Sequence, residues 1–214
     1  MKNRLHTSSL LAAILLLASG LFAQEKHQTL FGNARIVGGF GGPIFEYGLL
    51  NGQFGTRAGG GGGLVVGDFF IGGFGMGTSD FAEVDLDPQI YTIDLGYGGF
   101  WLGYTPLTRK VIHPYGSLKV GWGTASLEYQ KDDDWITGYE ENIFSLTPEV
   151  GLELNIFRWF RISATGGYRF VNGADGLPDL DSRDFRSFIG TLTLRFGGFG
   201  SDQTEKEPPG KEEN

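Results

Sequence analysis

The chain has 214 residues, a formal net charge of -8, 37 glycines and no cysteine. The missing cysteine excludes disulfides, thiol nucleophiles and thiolate metal sites. The acidic balance excludes nucleic acid as a partner, because a phosphate-binding surface needs clustered Lys and Arg. The glycines follow no Gly-X-Y period and sit among 14% aromatic residues, which fits neither collagen nor a disordered linker.

In chain order, Lys2 and Arg4 precede an apolar run from Leu10 to Leu17, and Leu21-Phe22-Ala23-Gln24 follows. A positive start, a short apolar stretch and a small-residue site predict a secretory signal peptide over residues 1–23, cut after Ala23. The run falls short of the ~20 apolar residues of a membrane helix.

From about Ala34 the hydrophobic signal has period two, the mark of strands. The Gly-rich stretch from Gly38 to Gly77 holds 17 glycines in 40 residues. It reads as three strands, about 34–48, 53–66 and 69–79, whose facing the sequence leaves open because glycine specifies register weakly. Next, Tyr91, Ile93, Leu95, Tyr97 and Trp101 alternate with Thr92, Asp94, Gly96 and Gly98. Leu118, Val120 and Trp122 alternate with Ser117, Lys119 and Gly121. The clearest strand runs from Ile143 to Ile156, with Phe144, Leu146, Val150, Leu152 and Leu154 on one face and Ser145, Thr147, Glu149 and Glu153 on the other. Phe160 to Phe170 and Phe188 to Phe196 repeat the pattern. The total is about eight strands. Long acidic connections are predicted at 80–88, 130–142 and 172–184, and tight ones at 67–68, 106–110 and 157–159. The connection at 49–53 is short, and the long ones all occur at alternate connections, so an up-and-down order puts the long loops at one end of a closed antiparallel β-barrel and the tight turns at the other. Closure also removes exposed strand edges.

Alternation alone does not say which face is outside. Three features favour an apolar face turned to lipid. The apolar faces end in aromatic residues (Trp101, Tyr104, Tyr129, Phe144, Trp159, Phe160, Tyr168, Phe170, Phe188 and Phe196), as membrane girdles do. The strands are long enough for a tilted crossing of about 9–11 residues. Long and tight connections are segregated to opposite ends. The other face carries Asp94, Lys119, Glu149, Glu153, Arg161, Arg169 and Arg195. An eight-stranded barrel has room inside only for side chains. These residues are therefore expected to form an ion-paired interior network, because buried charges require partners.

The signal peptide, the alternation, the Gly–aromatic stretch Phe69-Phe70-Ile71-Gly72-Gly73-Phe74-Gly75-Met76-Gly77 and the final strand Ser187–Phe196 resemble the small eight-stranded outer-membrane β-barrel proteins of Gram-negative bacteria. The resemblance covers about residues 30–199. It implies a closed up-and-down transmembrane barrel at 34–199, a periplasmic segment at 24–33 and an acidic tail at 200–214 in the periplasm. The implied location is the outer membrane. The implied partners are outer-membrane lipid, lipopolysaccharide and the assembly machinery, for which a last strand ending in an aromatic residue resembles the recognition signal. Proteins of this kind include adhesins, enzymes, channels and anchors, so the likeness does not fix an activity.

Residues for chemistry are sparse. Among the histidines only His113 lies in the barrel, just after a tight turn and away from the end where an enzyme acting on the outer leaflet would need its base. Glu149 and Glu153 are four apart on one strand face, about 13 Å by strand rise, too far for a glycosidase pair. The glycine runs lack the following helix of a phosphate loop. No cofactor or metal is called for. Binding is instead expected from the loops, where Asp132, Asp133, Asp134, Trp135 and Tyr139 form the best group of contact residues. The sequence thus predicts a non-enzymatic outer-membrane barrel with a charge-filled interior, acting in envelope structure or surface interaction. A small pore through the Gly-rich half and a secreted lipocalin-like binder are the alternatives.

Overall fold

The computed structural model describes residues 36–78, 82–86, 89–131 and 134–200. The predicted signal peptide, the 24–33 segment and the acidic tail from 201 onward lie outside these residues.

Among the described residues, period-two alternation becomes nine strands: β1 (Ile36–Leu50), β2 (Gln53–Val66), β3 (Phe69–Thr78), β4 (Ala82–Leu86), β5 (Gln89–Tyr104), β6 (Ile112–Lys131), β7 (Asp134–Phe157), β8 (Phe160–Asn172) and β9 (Ser187–Phe199). Every pairing among them is antiparallel. The sheet order is β3-β2-β1-β9-β8-β7-β6-β5-β4, and β3 also pairs with β5. That pairing closes a ring of eight strands. β4 lies in series with β3 along β5: the β3–β5 ladder ends at Met76↔Tyr97, and β4 takes over at Ala82↔Ile93. Side chains bridge the handover. Thr78 Oγ1 accepts from Leu95 N at 2.9 Å and donates to Leu95 O at 3.3 Å. The Gln53 amide donates to Glu83 O at 3.0 Å, occupying a backbone acceptor of short β4.

The three Gly-rich strands occur where alternation placed them, and their facing is now fixed. Phe40, Ile44, Glu46 and Leu50 point inward from β1, Arg57 and Val65 from β2, and Phe70, Phe74 and Met76 from β3. The β1–β2 link is a two-residue turn with Asn51 and Gly52 both at positive φ, as a tight hairpin requires. Glycine also makes room. A Cβ on Gly103 would fall 2.0 Å from Phe70 Cε1, and one on Gly61 would fall 3.0 Å from the Trp101 ring. The inner wall is thinned where Phe70 and Trp101 lie against it.

Three expectations are corrected. β5 faces the other way: Ile93, Leu95, Tyr97 and Trp101 are buried inside, while Phe100, Leu102 and Tyr104 face out. Both faces of β5 are apolar, and the glycine-lined half of the lumen takes the larger rings. Tyr129, placed on the lipid side by the sequence, instead shares a face with inward Leu127. Within the stretches 80–88 and 130–142, expected as loops, the described residues 82–86, 130–131 and 134–142 are strand. β6 and β7 run for 20 and 24 residues, about twice a bilayer crossing. They stay paired as far as Lys131↔Asp134, with a bulge at Leu127/Glu128. Good strand formers, Trp135-Ile136-Thr137 and Tyr139, outweigh the local acidity. Tyr91 packs on both Tyr129 and Tyr139 across this projection, at ring separations of 5.3 and 5.9 Å.

Replacing Gly103 by Leu should displace Phe70. Overpacking of this kind typically costs about 1–3 kcal/mol, so the midpoint of urea unfolding should fall. Gly190→Ala, where a Cβ meets nothing within 4 Å, should leave the midpoint in place.

Candidate functional site

Inward positions on β1, β7 and their neighbours carry three buried carboxylates, each held by groups from several strands. Glu46 Oε1 accepts from Arg57 Nε at 2.9 Å and from Arg169 Nη1 at 2.7 Å. Glu149 accepts from Lys119 Nζ at 2.8 Å, Ser117 Oγ at 2.8 Å and Thr191 Oγ1 at 2.7 Å. Glu153 takes Arg195 Nη1 at 2.6 Å, Arg161 Nη1 at 3.0 Å and His113 Nε2 at 3.1 Å. Arg169 lies two strands from Glu46 in the ring, as Arg195 does from Glu153 and Thr191 from Glu149. The bonds therefore span the lumen as well as neighbouring strands.

Of the residues predicted to share this interior, Lys119, Glu149, Glu153, Arg161, Arg169 and Arg195 are all there and buried. Asp94 is not. It lies between buried Ile93 and Leu95 and so faces outward, paired in register with Ser126. Its misplacement follows from the reversed facing of β5. The sequence reading left out Glu46, Arg57 and His113. His113 shares strand parity with Ser117 and Lys119, so that signal was present. Glu46 and Arg57 are lone charges in otherwise apolar, Gly-rich strands whose facing was open.

Three carboxylates face five permanent cations, and the surplus is absorbed by rings and carbonyls. Arg195 Cζ lies 3.7 Å from the Phe40 centroid and 4.6 Å from that of Phe70, and Arg161 Cζ lies 3.9 Å from that of Phe199. Such contacts are worth most where water is excluded. Arg169 also donates to Phe185 O at 2.9 Å and Leu49 O at 3.1 Å. Phe40, Phe70 and Trp101 pack edge to face at 5.1–5.6 Å. They occupy the side of the lumen that glycine leaves bare.

The long-connection end is covered. Residues 173–186 form the one predicted long loop that remains a loop, and its Ala174, Leu177, Leu180 and Phe185 are buried in one apolar cluster with Ile93, Leu95, Leu127, Ile143 and Val171. Asn51 N donates to Asp184 O at 2.8 Å and Arg186 Nε to Val171 O at 2.8 Å, tying the loop to the rim. Within it, the Ser182 amide donates to Asp175 at 2.9 Å and holds that carboxyl below its ordinary range. On the projecting β6–β7 hairpin, Asp134, Trp135 and Tyr139 are exposed. They do not share a face. Tyr139 is opposite inward-facing Leu127, while Trp135 is opposite Gln130 on the outer side, because the bulge shifts the alternation between them. Asp132 and Asp133 lie outside the described residues. Among the described residues no three His, Asp or Glu side chains are grouped to hold a metal ion.

The outer wall inverts the interior. Val150 is 74% exposed and Phe188 81%. Leu64, Ile71, Leu102 and Leu152 complete an apolar belt. One rim carries Tyr104, Phe69, Trp159, Phe160 and Phe196, and the other carries Trp122, Phe144, Phe170 and Phe188. Phe160 and Phe196 stack at 4.7 Å, Tyr168 and Phe188 meet edge-on at 5.0 Å, and Phe100 meets Trp122 at 5.7 Å.

No protein-family model matches the chain, and no curated protein matches it. Solved structures do. Neisserial surface protein A is similar at 10% identity over 77% of this chain and 96% of that one, with a TM-score of 0.49. The N-terminal β-barrel domain of Pseudomonas aeruginosa OprF is similar at 12% identity over 77% and 98%, with a TM-score of 0.45. Ail, the attachment invasion locus protein of Yersinia pestis, is similar at 18% identity over 75% and 95%, with a TM-score of 0.41. In fold, this chain is similar to small outer-membrane β-barrels.

Glu153→Ala would strand Arg161 and Arg195 in the lumen. Breaking a buried pair from one side typically costs about 3–5 kcal/mol, whereas Asp94→Ala on the outer wall should stay within roughly 0.5 kcal/mol. Urea titration of the folded barrel in detergent micelles compares the two.

Proposed function

We propose that the chain is a closed, non-enzymatic outer-membrane barrel that spans the bilayer with its apolar wall and offers its acidic, extended β6–β7 end as a surface for interaction. The observation that carries this reading is the inversion: charged groups are buried in the lumen while large apolar side chains cover the outside. Lys or Arg facing lipid near mid-bilayer would cost about 2–4 kcal/mol each, and every cation of the network is on the inner side instead.

The two alternatives fare less well on the same geometry. A soluble lipocalin-like binder needs an apolar pocket and a wettable wall, the reverse of this arrangement. A pore through the Gly-rich half needs that half unfilled, yet Phe40, Phe70, Phe74 and Trp101 are buried there and the 173–186 loop covers the far end. A non-catalytic role is supported at His113, whose two ring nitrogens are engaged by Glu153 Oε1 at 3.1 Å and Lys110 O at 3.3 Å.

Membrane fractions run on gels with and without boiling test the reading. The protein should be found in the outer-membrane fraction, migrate differently before and after boiling, and show no steady conductance in planar bilayers. Recovery from the soluble periplasm or medium would overturn the membrane assignment, and a stable unit conductance would overturn the closed interior.

A further inference from the structure

The turn end of the barrel differs in charge from the loop end. Arg109 and Lys110 project from the 105–111 connection between β5 and β6, and Arg158 from the turn between β7 and β8; all three are exposed. The two turns sit side by side because the strands that they bound are paired, with Ile112 opposite Leu154. Asn155 locks them together. Its side-chain amide donates to Thr108 O and Lys110 O, both at 2.8 Å, and its backbone N to Val111 O at 2.8 Å. Further supports include Lys110 N to Leu107 O at 2.9 Å, Thr105 N to Asp68 O at 2.7 Å and Gly197 N to Trp159 O at 2.9 Å. Asp68 is the acidic residue on the described tight turns at this end.

The wall immediately beside these cations is apolar and exposed: Leu107, Val111, Ile112, Phe157 and Trp159. Phe157 stacks on Trp159 at 5.5 Å, and Trp159 is 5.9 Å from Phe160 and 6.1 Å from Phe196. A ring shelf with cations just beyond it matches a bilayer boundary, where rings sit at head-group depth and long basic side chains reach the phosphates. The loop end has the opposite balance: Glu83, Asp85, Glu128, Asp134, Glu140, Glu141, Asp175, Asp179, Asp181 and Asp184 against Lys131, Arg183 and Arg186.

From this juxtaposition we infer that Arg109, Lys110 and Arg158, with the Phe157–Trp159 shelf, form a binding surface for the phosphate head groups of anionic phospholipid in the leaflet at the turn end. The inference rests on the membrane reading above. Each basic residue near an anionic surface strengthens attraction by a factor of roughly five at low screening. Three on one rigid patch should give a preference that survives moderate salt.

Native mass spectrometry of the full chain tests this, using detergent micelles doped with equal amounts of phosphatidylglycerol and phosphatidylcholine. The folded protein should retain phosphatidylglycerol preferentially. The variant R109Q/K110Q/R158Q, shown to be folded by its boiling-dependent gel shift, should lose that preference by at least about tenfold. A folded wild-type chain that retains both lipids equally, or a folded variant with undiminished preference, would overturn the assignment. So would a preference that emerges only when the acidic residues 201–214 are deleted, because the patch would then belong to that segment. Absence of any boiling-dependent shift in the wild type would overturn the membrane reading itself, a separate failure.

Discussion

Burial of three carboxylates among five cations is the constraint on which the barrel's facing depends. Side chains alternate between faces with period two, so a one-residue slip sends an entire strand's charges to the other side. On β8 such a slip would expose Arg161 and Arg169 together. It would also leave Glu46 and Glu153 each without one of their cations. The costs of lipid exposure and of unpaired burial then fall on the same event. β8 also carries Gly166 and Gly167, which do nothing to specify register, and the ion pairs supply what those residues cannot.

The charges leave part of the lumen unfilled, and glycine governs the rest. A narrow barrel has space for only so many large side chains. Removing Cβ atoms from one side lets Phe70 and Trp101 lie where branched side chains would clash. Phe70 then lies against Arg195 and Trp101 beneath Lys119, so the aromatic half and the ionic half are one packed unit. The outer wall is correspondingly free to be apolar throughout, with aromatic residues gathered at its two rims. Above the loop-end rim the same sheet continues. There the same apolar cluster extends under the 173–186 loop.

Legibility in the sequence followed physical specificity. Strands from β6 to β9 could be read because their two faces differ sharply, as Leu152 and Leu154 do from Glu149 and Glu153. Six of the seven charges expected inside, all but Asp94, are buried in the structure. β5 was misread because both of its faces are apolar, and Asp94 went with it. Glu46 and Arg57 were hidden by glycine, which carries no facing information. The β6–β7 projection was mistaken for a loop because a strand in water can be polar on either face, and its acidity masked the Trp135-Ile136-Thr137 signal. A bulge at one residue then separated Trp135 from Tyr139, a shift that spacing alone does not reveal.

Membrane insertion of this barrel requires that the apolar wall meet lipid while the charged and aromatic interior does not. Two tryptophans report on it directly: Trp101, 1% exposed within the lumen, and Trp122, 55% exposed on the outer rim. Single-tryptophan variants retaining one or the other can be reconstituted in vesicles whose lipid chains carry bromine near the head group. The account predicts strong quenching of Trp122 and little quenching of Trp101, with aqueous iodide quenching neither strongly. Strong bromolipid quenching of Trp101, or free access of iodide to Trp122, would contradict it.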